Sequence, residues 1–190
     1  MPVRMSKWDR PGVAAFVDGC WDAEDEVKLR QDVASWVGKG IGTLLDVGCG
    51  SARMAPLLRG WSYTGVDSSA EMLRLAKKRA PKATLMQSDI RRLPFENGQF
   101  TTALCMEVLR HLDSYQDVLQ ELCRVSHRTV YIVDAFSAAK EHLLGRAEVA
   151  GQTFADNSWS LNLFLQDVAP DWESNMQSFG VAVGVKLLHA

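Results

Sequence analysis

The apolar positions of the chain fall into short blocks that switch between a helical and an extended period. Over residues 22–38 (DAEDEVKLRQDVASWVG), Val27, Arg30, Val33, Ala34 and Val37 recur at three- and four-residue spacings, which predicts a helix. Its acids cluster at the start, where they complement the helix dipole, and Gly38 and Gly40 end it. The run 43–47 is short and apolar and stops at Gly48-Cys49-Gly50, the pattern of a buried strand entering a sharp turn. Residues 51–59 (SARMAPLLR) then read as helical. A second strand is predicted over 63–67, ending on an acid. Ser68 or Ser69 caps a helix through Ala80, with Glu71 in its first turn, Lys77, Lys78 and Arg79 in its last, and Pro81 closing it. Further strands are expected at 83–87, 100–106 and 130–133. An amphipathic helix over 115–125 carries Val118, Leu119, Leu122 and Val125 on one face. Residues 137–150 and 162–168 read as helical, and 181–188 as a terminal strand. Ahead of all this, Trp8, Phe16 and Trp21 sit among Pro11, Gly12 and Gly19. That is a short, broken aromatic segment, expected to anchor the N-terminus, with a lid as its alternative role.

Strands alternating with helices predict an α/β fold, a doubly wound and mostly parallel sheet with helices on both faces. The length, 190 residues, suits one domain over 1–190: a helical N-terminal cap (1–40), a core (41–136) and a C-terminal segment (137–190). With 47% hydrophobic and 23% charged residues, the composition excludes wholesale disorder. The formal charge of -2 gives no global drive towards nucleic acid or anionic membranes. Four scattered cysteines (Cys20, Cys49, Cys105 and Cys123) form no CxxC pair, so no metal site is expected. The N-terminus lacks the apolar core of a signal peptide, and no apolar run approaches the ~20 residues of a membrane span. A soluble, cytoplasmic protein with buried thiols is the expectation.

The chemistry concentrates in LLDVGCGSAR, residues 44–53. Glycines after a strand let the chain turn tightly and let a ligand approach the peptide groups. Asp67, ending the second strand 21 residues after Asp46, is placed to accept hydrogen bonds from both hydroxyls of a ribose. Asp89 and Ile90, after the third strand, are placed to meet an adenine amino group and ring face. Asp46 is an acid on the last turn of a buried strand, and a cationic ligand group would supply its reason for being there. Arg53 occupies the position where a dinucleotide-binding GxGxxG needs glycine, and no Lys-Ser or Lys-Thr follows the glycines as a phosphate-binding loop requires.

On these residues the chain resembles class I S-adenosylmethionine-dependent methyltransferases, specifically the methyltransferase type 11-like group. Asp46-Val47-Gly48-Cys49-Gly50-Ser51-Ala52 matches the family's acid-x-Gly-x-Gly-x-Gly motif with Ala52 at the last glycine. Asp67 matches its ribose-binding acid and Asp89-Ile90 its adenine-contacting pair. LPFENGQFTTALCMEVLRHL (93–112) and ELCRV (121–125) resemble its fourth-strand and fifth-helix segments, while Ser126-His127-Arg128-Thr129 replaces its usual Pro-Gly-Gly turn. The resemblance implies a Rossmann-like sheet and S-adenosyl-L-methionine as cofactor, held by Asp46, Gly48, Cys49, Gly50, Asp67, Ser68, Asp89, Ile90 and Met106. Only one terminal strand is legible, which implies a sheet abbreviated at its C-terminal strands.

The implied reaction moves a methyl group to an O or N nucleophile of a small molecule. His111, following the fourth strand, is the candidate general base, and Glu107 is the second candidate. Trp8, Phe16, Trp21 and Trp159 are candidates to enclose the acceptor. Two alternatives stand beside this reading. One is a methyltransferase-like protein that binds the cofactor as a regulatory or scaffolding partner without turnover. The other is an RNA methyltransferase using the basic run Arg74, Lys77, Lys78, Arg79, Lys82, Arg91 and Arg92. Helix C-terminal cations are commonly solvated dipole partners, so a nucleic-acid acceptor is the less favoured of the two substrate classes.

Overall fold

In a computed structural model, which describes residues 7–10, 12–137, 146–149, 152–155, 157–180 and 182–189, the apolar runs become neighbouring parallel strands. The chain divides into two compact units, Met1–Pro94 and Phe95–Ala190.

In the first unit, β1 (Gly42–Val47), β2 (Trp61–Asp67) and β3 (Thr84–Gln87) pair in parallel in that order. The register sets Asp46 beside Gly65 and Val47 beside Val66. Leu44, Leu45, Val47 and Val66 are fully buried, as expected for strands covered on both faces. α1 (Val13–Cys20) and α2 (Glu24–Val37) precede the sheet. α2 buries Leu29, Arg30, Val33 and Val37, while Val27, expected on that face, is exposed. Arg30 tolerates burial because its guanidinium donates to the Trp21 carbonyl and, at 3.2 Å, to Glu26. In α3 (Ala70–Arg79) it is Ser69 whose Oγ accepts from the Met72 amide, at 3.1 Å.

Residues 51–59 form successive turns rather than the expected helix. Ala52 and Gly50 both take positive φ, at 57° and 51°, which a right-handed helix excludes. Pro56 then brings no N–H to extend a ladder.

In the second unit, β4 (Phe100–Met106) pairs parallel with β5 (Ser126–Asp134). α4 (Gln116–Val125) buries Val118, Leu119, Leu122 and Val125 and runs straight into β5. Residues 126–129, where the family has a turn, are therefore the start of a strand, and the register slips between Phe100 and Thr102 to take them in. After β6 (Phe136–Ser137), residues 146–149 of the expected helix form instead β7 (Arg146–Val149), antiparallel to β8 (Gln152–Ala155). Positions 138–145 and 150 of that expectation lie outside the described residues. β9 (Trp159–Ser160) leads into α5 (Leu161–Gln166).

The sheet is not abbreviated. β10 (Trp172–Ser178) and β11 (Val183–His189) are both present, with β11 antiparallel to β5 and to β10. β10 escapes a pattern reading because only Trp172 of its seven residues is buried. Trp159, a candidate acceptor contact, is core: its ring meets Tyr115 edge to face at 5.0 Å, and Tyr115 packs on Phe164. None of the four cysteines forms a disulfide, and Cys20 is exposed rather than buried. Among the described residues no helix is long and apolar enough to cross a membrane.

Candidate functional site

In the first unit the site is built where β1 and β2 end. The amides of Gly48 and Cys49 both donate to the Val66 carbonyl, at 2.8 and 2.9 Å, so the loop leaving β1 folds over the end of β2. Gly48 has φ 74°, and the Cys49 side chain drops onto β2 at Gly65. A Cβ on Gly65 would meet the Cys49 sulfur at 2.8 Å, so glycine is required there for the loop to close. The Trp21 indole rests on the loop from the other side, 3.2 Å from where a Gly50 Cβ would stand.

Asp67 uses both carboxylate oxygens on backbone donors: Oδ2 accepts from the Gly50 amide and Oδ1 from the Ser69 amide, each at 2.8 Å. Burial pushes its carboxyl above the usual range, the two amides oppose that, and the Asp9 charge adds to it. Asp9 lies at the N-terminus of α3, accepting from Ser69 Oγ at 2.7 Å and from the Glu71 amide at 3.1 Å.

Asp46 is treated differently by its surroundings. Its carboxylate is buried and accepts one hydrogen bond, from the Tyr63 hydroxyl at 2.5 Å, and among the described residues no Lys, Arg or His pairs with it. Burial raises its pKa to about 7, the Tyr63 hydrogen bond pulling down and the Asp67 charge pushing up. The same burial raises the Cys49 thiol and the Tyr63 phenol well above their ordinary values, keeping both protonated.

The glycine-rich loop is also fastened to α1. The Ser51 hydroxyl donates to Asp18, Arg53 Nε reaches Asp18 at 2.9 Å, and Arg79 Nη2 reaches it at 3.1 Å. Arg79 Nη1 donates to the Ser51 carbonyl at 2.7 Å, and Arg53 pairs with Asp22 at 2.6 Å. Burial alone would raise the Asp18 carboxyl, but the donors from Arg79, Ser51 and Arg53 outweigh it and hold it below the usual range. Of the other expected contacts, Asp89 is exposed, accepts from the Arg91 amide at 3.0 Å and is open to a ligand; Ile90 is buried. Ser68 offers its carbonyl to Gln87 at 2.9 Å.

These residues fit the implied cofactor. An uncompensated buried carboxylate, a second acid with lone pairs to spare and a loop whose glycines expose peptide groups suit a ligand with a cationic and a hydroxylated end.

The second unit carries Met106, Glu107 and His111. Met106 ends β4, half-buried. Glu107 follows at φ 56°, its amide donating to the Val133 carbonyl at 2.7 Å and its carboxylate 3.8 Å from Arg110. His111 lies in a short 3-10 turn, Leu109–His111, that is clamped on both sides. Asp134, fully buried, accepts from the Leu109 amide at 2.7 Å and the Ala135 amide at 2.8 Å, with Arg110 Nε at 3.4 Å. Burial pushes its carboxyl up against those donors and the charges of Arg110 and His111. Asn157 donates to the Arg110 and Leu112 carbonyls at 2.9 and 2.7 Å. Among the described residues no three His, Cys, Asp or Glu side chains are grouped to hold a metal.

Asp9, Asp18, Tyr63, Asp134 and Asn157 went unmarked in the sequence. Tyr63 alone had a local signal, since the two-residue strand period sets it on one face with Gly65 and Asp67.

The family of methyltransferase domains matches residues 45–133. A ubiquinone biosynthesis O-methyltransferase of Pseudomonas paraeruginosa is 30% identical over 145 residues, covering 66% of this chain and 60% of its own length. A 2-phytyl-1,4-naphtoquinone methyltransferase of Trichormus variabilis is 38% identical over 119 residues, covering 55% and 52%. The chain thus spans only about half to three-fifths of these curated relatives. Among solved structures, a SAM-dependent methyltransferase from Aquifex aeolicus superposes with a TM-score of 0.70 at 18% identity, over 93% of this chain and 98% of that one. That likeness shows the Rossmann-like fold alone. The matched domain, residues 45–133, is thus that of a class I S-adenosylmethionine-dependent methyltransferase.

Proposed function

We propose that the protein transfers a methyl group from S-adenosylmethionine to an O or N nucleophile of a small molecule. The observation that carries this is the pair of buried acids, Asp46 and Asp67, at the ends of adjacent parallel strands on either side of a loop held in positive-φ turns. In this reading Asp67 receives the ribose hydroxyls on the lone pairs its backbone partners leave open. Asp89 and Ile90 meet the adenine. Gly48, Cys49, Gly50 and Ser68 present backbone, and Asp46 answers a positive group. The bound cofactor supplies an electrophilic methyl, so the protein's work is alignment of a nucleophile and exclusion of water. His111 is the proposed base for a hydroxyl or protonated amine acceptor, its turn pre-set by Asp134 and Asn157. Two relatives named for methylation in ubiquinone biosynthesis and of a phytyl naphthoquinone favour a small-molecule acceptor over RNA.

Calorimetric titration with S-adenosylmethionine and S-adenosylhomocysteine tests the cofactor. Asp67→Ala should weaken binding by about 3 kcal/mol or more, since it removes two hydrogen bonds to a charged group worth about 1.5–3 each. Asp89→Ala, at an exposed position, should weaken it without disturbing the fold. No binding of either compound by folded protein overturns the reading. Incubation with methyl-labelled cofactor and a cell extract should put label in the small-molecule fraction; label in RNA would overturn the acceptor class.

A further inference from the structure

Two buried acids stand side by side in the cofactor site, and the fold compensates only one of them. Asp67 has a backbone N–H on each oxygen. Asp46 has one phenolic hydroxyl and no cation among the described residues. The titratable groups facing it are few. Its own strand, β1, contributes none. β2 contributes Tyr63 and Asp67, and the loop after β1 contributes Cys49. Asp9, from the N-terminal turn, faces Asp67 and adds to the negative potential there. Two neighbouring carboxylates in a low-dielectric site do not both ionise readily, and the proton settles on the one with fewer donors. Burial keeps Cys49 and Tyr63 protonated, which leaves Asp46 as the group in this cluster able to exchange a proton near neutrality.

We propose that Asp46 and Tyr63 form a proton-exchanging pair through which the site reads the charge of its ligand: a cationic group of the bound cofactor replaces a proton on the Asp46 carboxyl. This rests on the cofactor reading above. The step balances simply. The Asp46 O–H bond breaks, the proton passes to solvent, and the carboxylate keeps its hydrogen bond from Tyr63 while a positive group of the ligand takes over the compensation. Tyr63 is the positioning residue. It favours the ionised carboxyl, so it lowers the pH at which the site becomes ready to receive a cation. Below that pH the ligand competes with a proton, and affinity falls towards tenfold per pH unit, or about 50-fold between pH 7 and pH 5.

Proton release measured by calorimetry in buffers of different ionisation enthalpy tests this, with the free Asp46 carboxyl followed in parallel by carbon-13 NMR. The wild type should release most of one proton per S-adenosylmethionine bound at pH 6 and almost none at pH 8.5. Asp46→Asn should release none at either pH. Tyr63→Phe should push the release to higher pH, a shift that a purely structural tyrosine would not cause. S-adenosylhomocysteine, which has the ammonium but no sulfonium, separates the two cationic sources: release with both compounds assigns the ammonium, release with S-adenosylmethionine alone the sulfonium. Binding with no proton release, or equal release by Asp46→Asn, overturns the proposal while leaving the cofactor reading intact. Absence of binding by folded protein overturns both, and the NMR titration then reports Asp46 on its own.

Discussion

Ala52 holds a backbone angle, φ 57°, that ordinarily belongs to glycine, and it stands where the family motif has its last glycine. An L-residue with a Cβ, alanine included, is strained there by about 1–2 kcal/mol. Ala52 is completely buried, so its methyl group returns part of that cost by packing, at about 0.8 kcal/mol per buried carbon. Glycine would relieve the strain but would also loosen the unfolded chain, an effect of about 0.4–1 kcal/mol. The terms nearly cancel, which accounts for an alanine surviving in a glycine position. Ala52→Gly should therefore leave stability within about 1 kcal/mol of the parent, since its gain and losses are each of that order. Ala52→Val should cost about 2 kcal/mol or more, because a β-branched residue is a true outlier at this φ and overpacking a closed site adds about 1–3. Urea denaturation of the two variants checks the pair, and a valine variant as stable as the parent would show that the turn is not held in this conformation.

At the scale of elements, the attachment of α1 to the glycine-rich loop is the contact that local pattern could not reveal. α1 is eight residues long, starts at Gly12 with no side-chain cap, and leaves Phe16 exposed, so it has little stability of its own. Asp18 ties it down by joining Ser51, Arg53 and Arg79, which are 33, 35 and 61 residues away. Removing the acid leaves two guanidinium groups side by side and partly buried. Asp18→Ala should cost about 2–4 kcal/mol, in the range of breaking a partly buried charge network. It should also weaken cofactor binding, because Ser51 and Gly50 lose their support; Glu24→Ala, on the exposed start of α2, serves as the control for charge alone. What was legible in sequence was whatever has a local cause. β1, β2 and α3 each carry an apolar period, an end signal or a cap such as Ser69, and their acids fall at strand ends where the spacing put them. The turns at 51–59 imitate a helix in composition and differ through the positive φ angles of Gly50 and Ala52, which no local pattern announces. β10 was illegible because an edge strand with one buried residue has no alternation to read, and Asp18 looked like any helix-surface acid.

For the whole molecule, buried acids in both units imply an unusual dependence of stability on pH. Asp46, Asp67 and Asp134 are all pushed above the ordinary carboxyl range by burial. An acid with a raised folded-state pKa makes the native state the better proton binder. Its stabilising contribution is complete below the unfolded value of 3.8 and is lost as pH rises towards the folded value, about 7 for Asp46. At about 1.36 kcal/mol per pKa unit, that group alone is worth up to about 4 kcal/mol across the window. Asp18 works in the opposite sense. Held below the usual range, it stabilises above pH 3.8 and loses that contribution as pH falls further. The two trends place the stability maximum of the ligand-free protein on the acid side, near pH 4–5, rather than at neutrality. Urea denaturation followed by far-UV circular dichroism at pH 4.5, 6 and 8 should show wild-type stability falling through this range. Asp46→Asn should lie within about 1 kcal/mol of the wild type at pH 4.5, where the folded-state carboxyl is still neutral and the pH is less than one unit above the unfolded value of 3.8, and exceed it by a few kcal/mol at pH 8. Subtracting the two curves removes every other titrating group, so parallel curves would mean that Asp46 is ionised at no cost in the free protein. In that case a cationic ligand would have nothing at Asp46 to compensate, and the coupling of fold stability to cofactor charge would be lost with it.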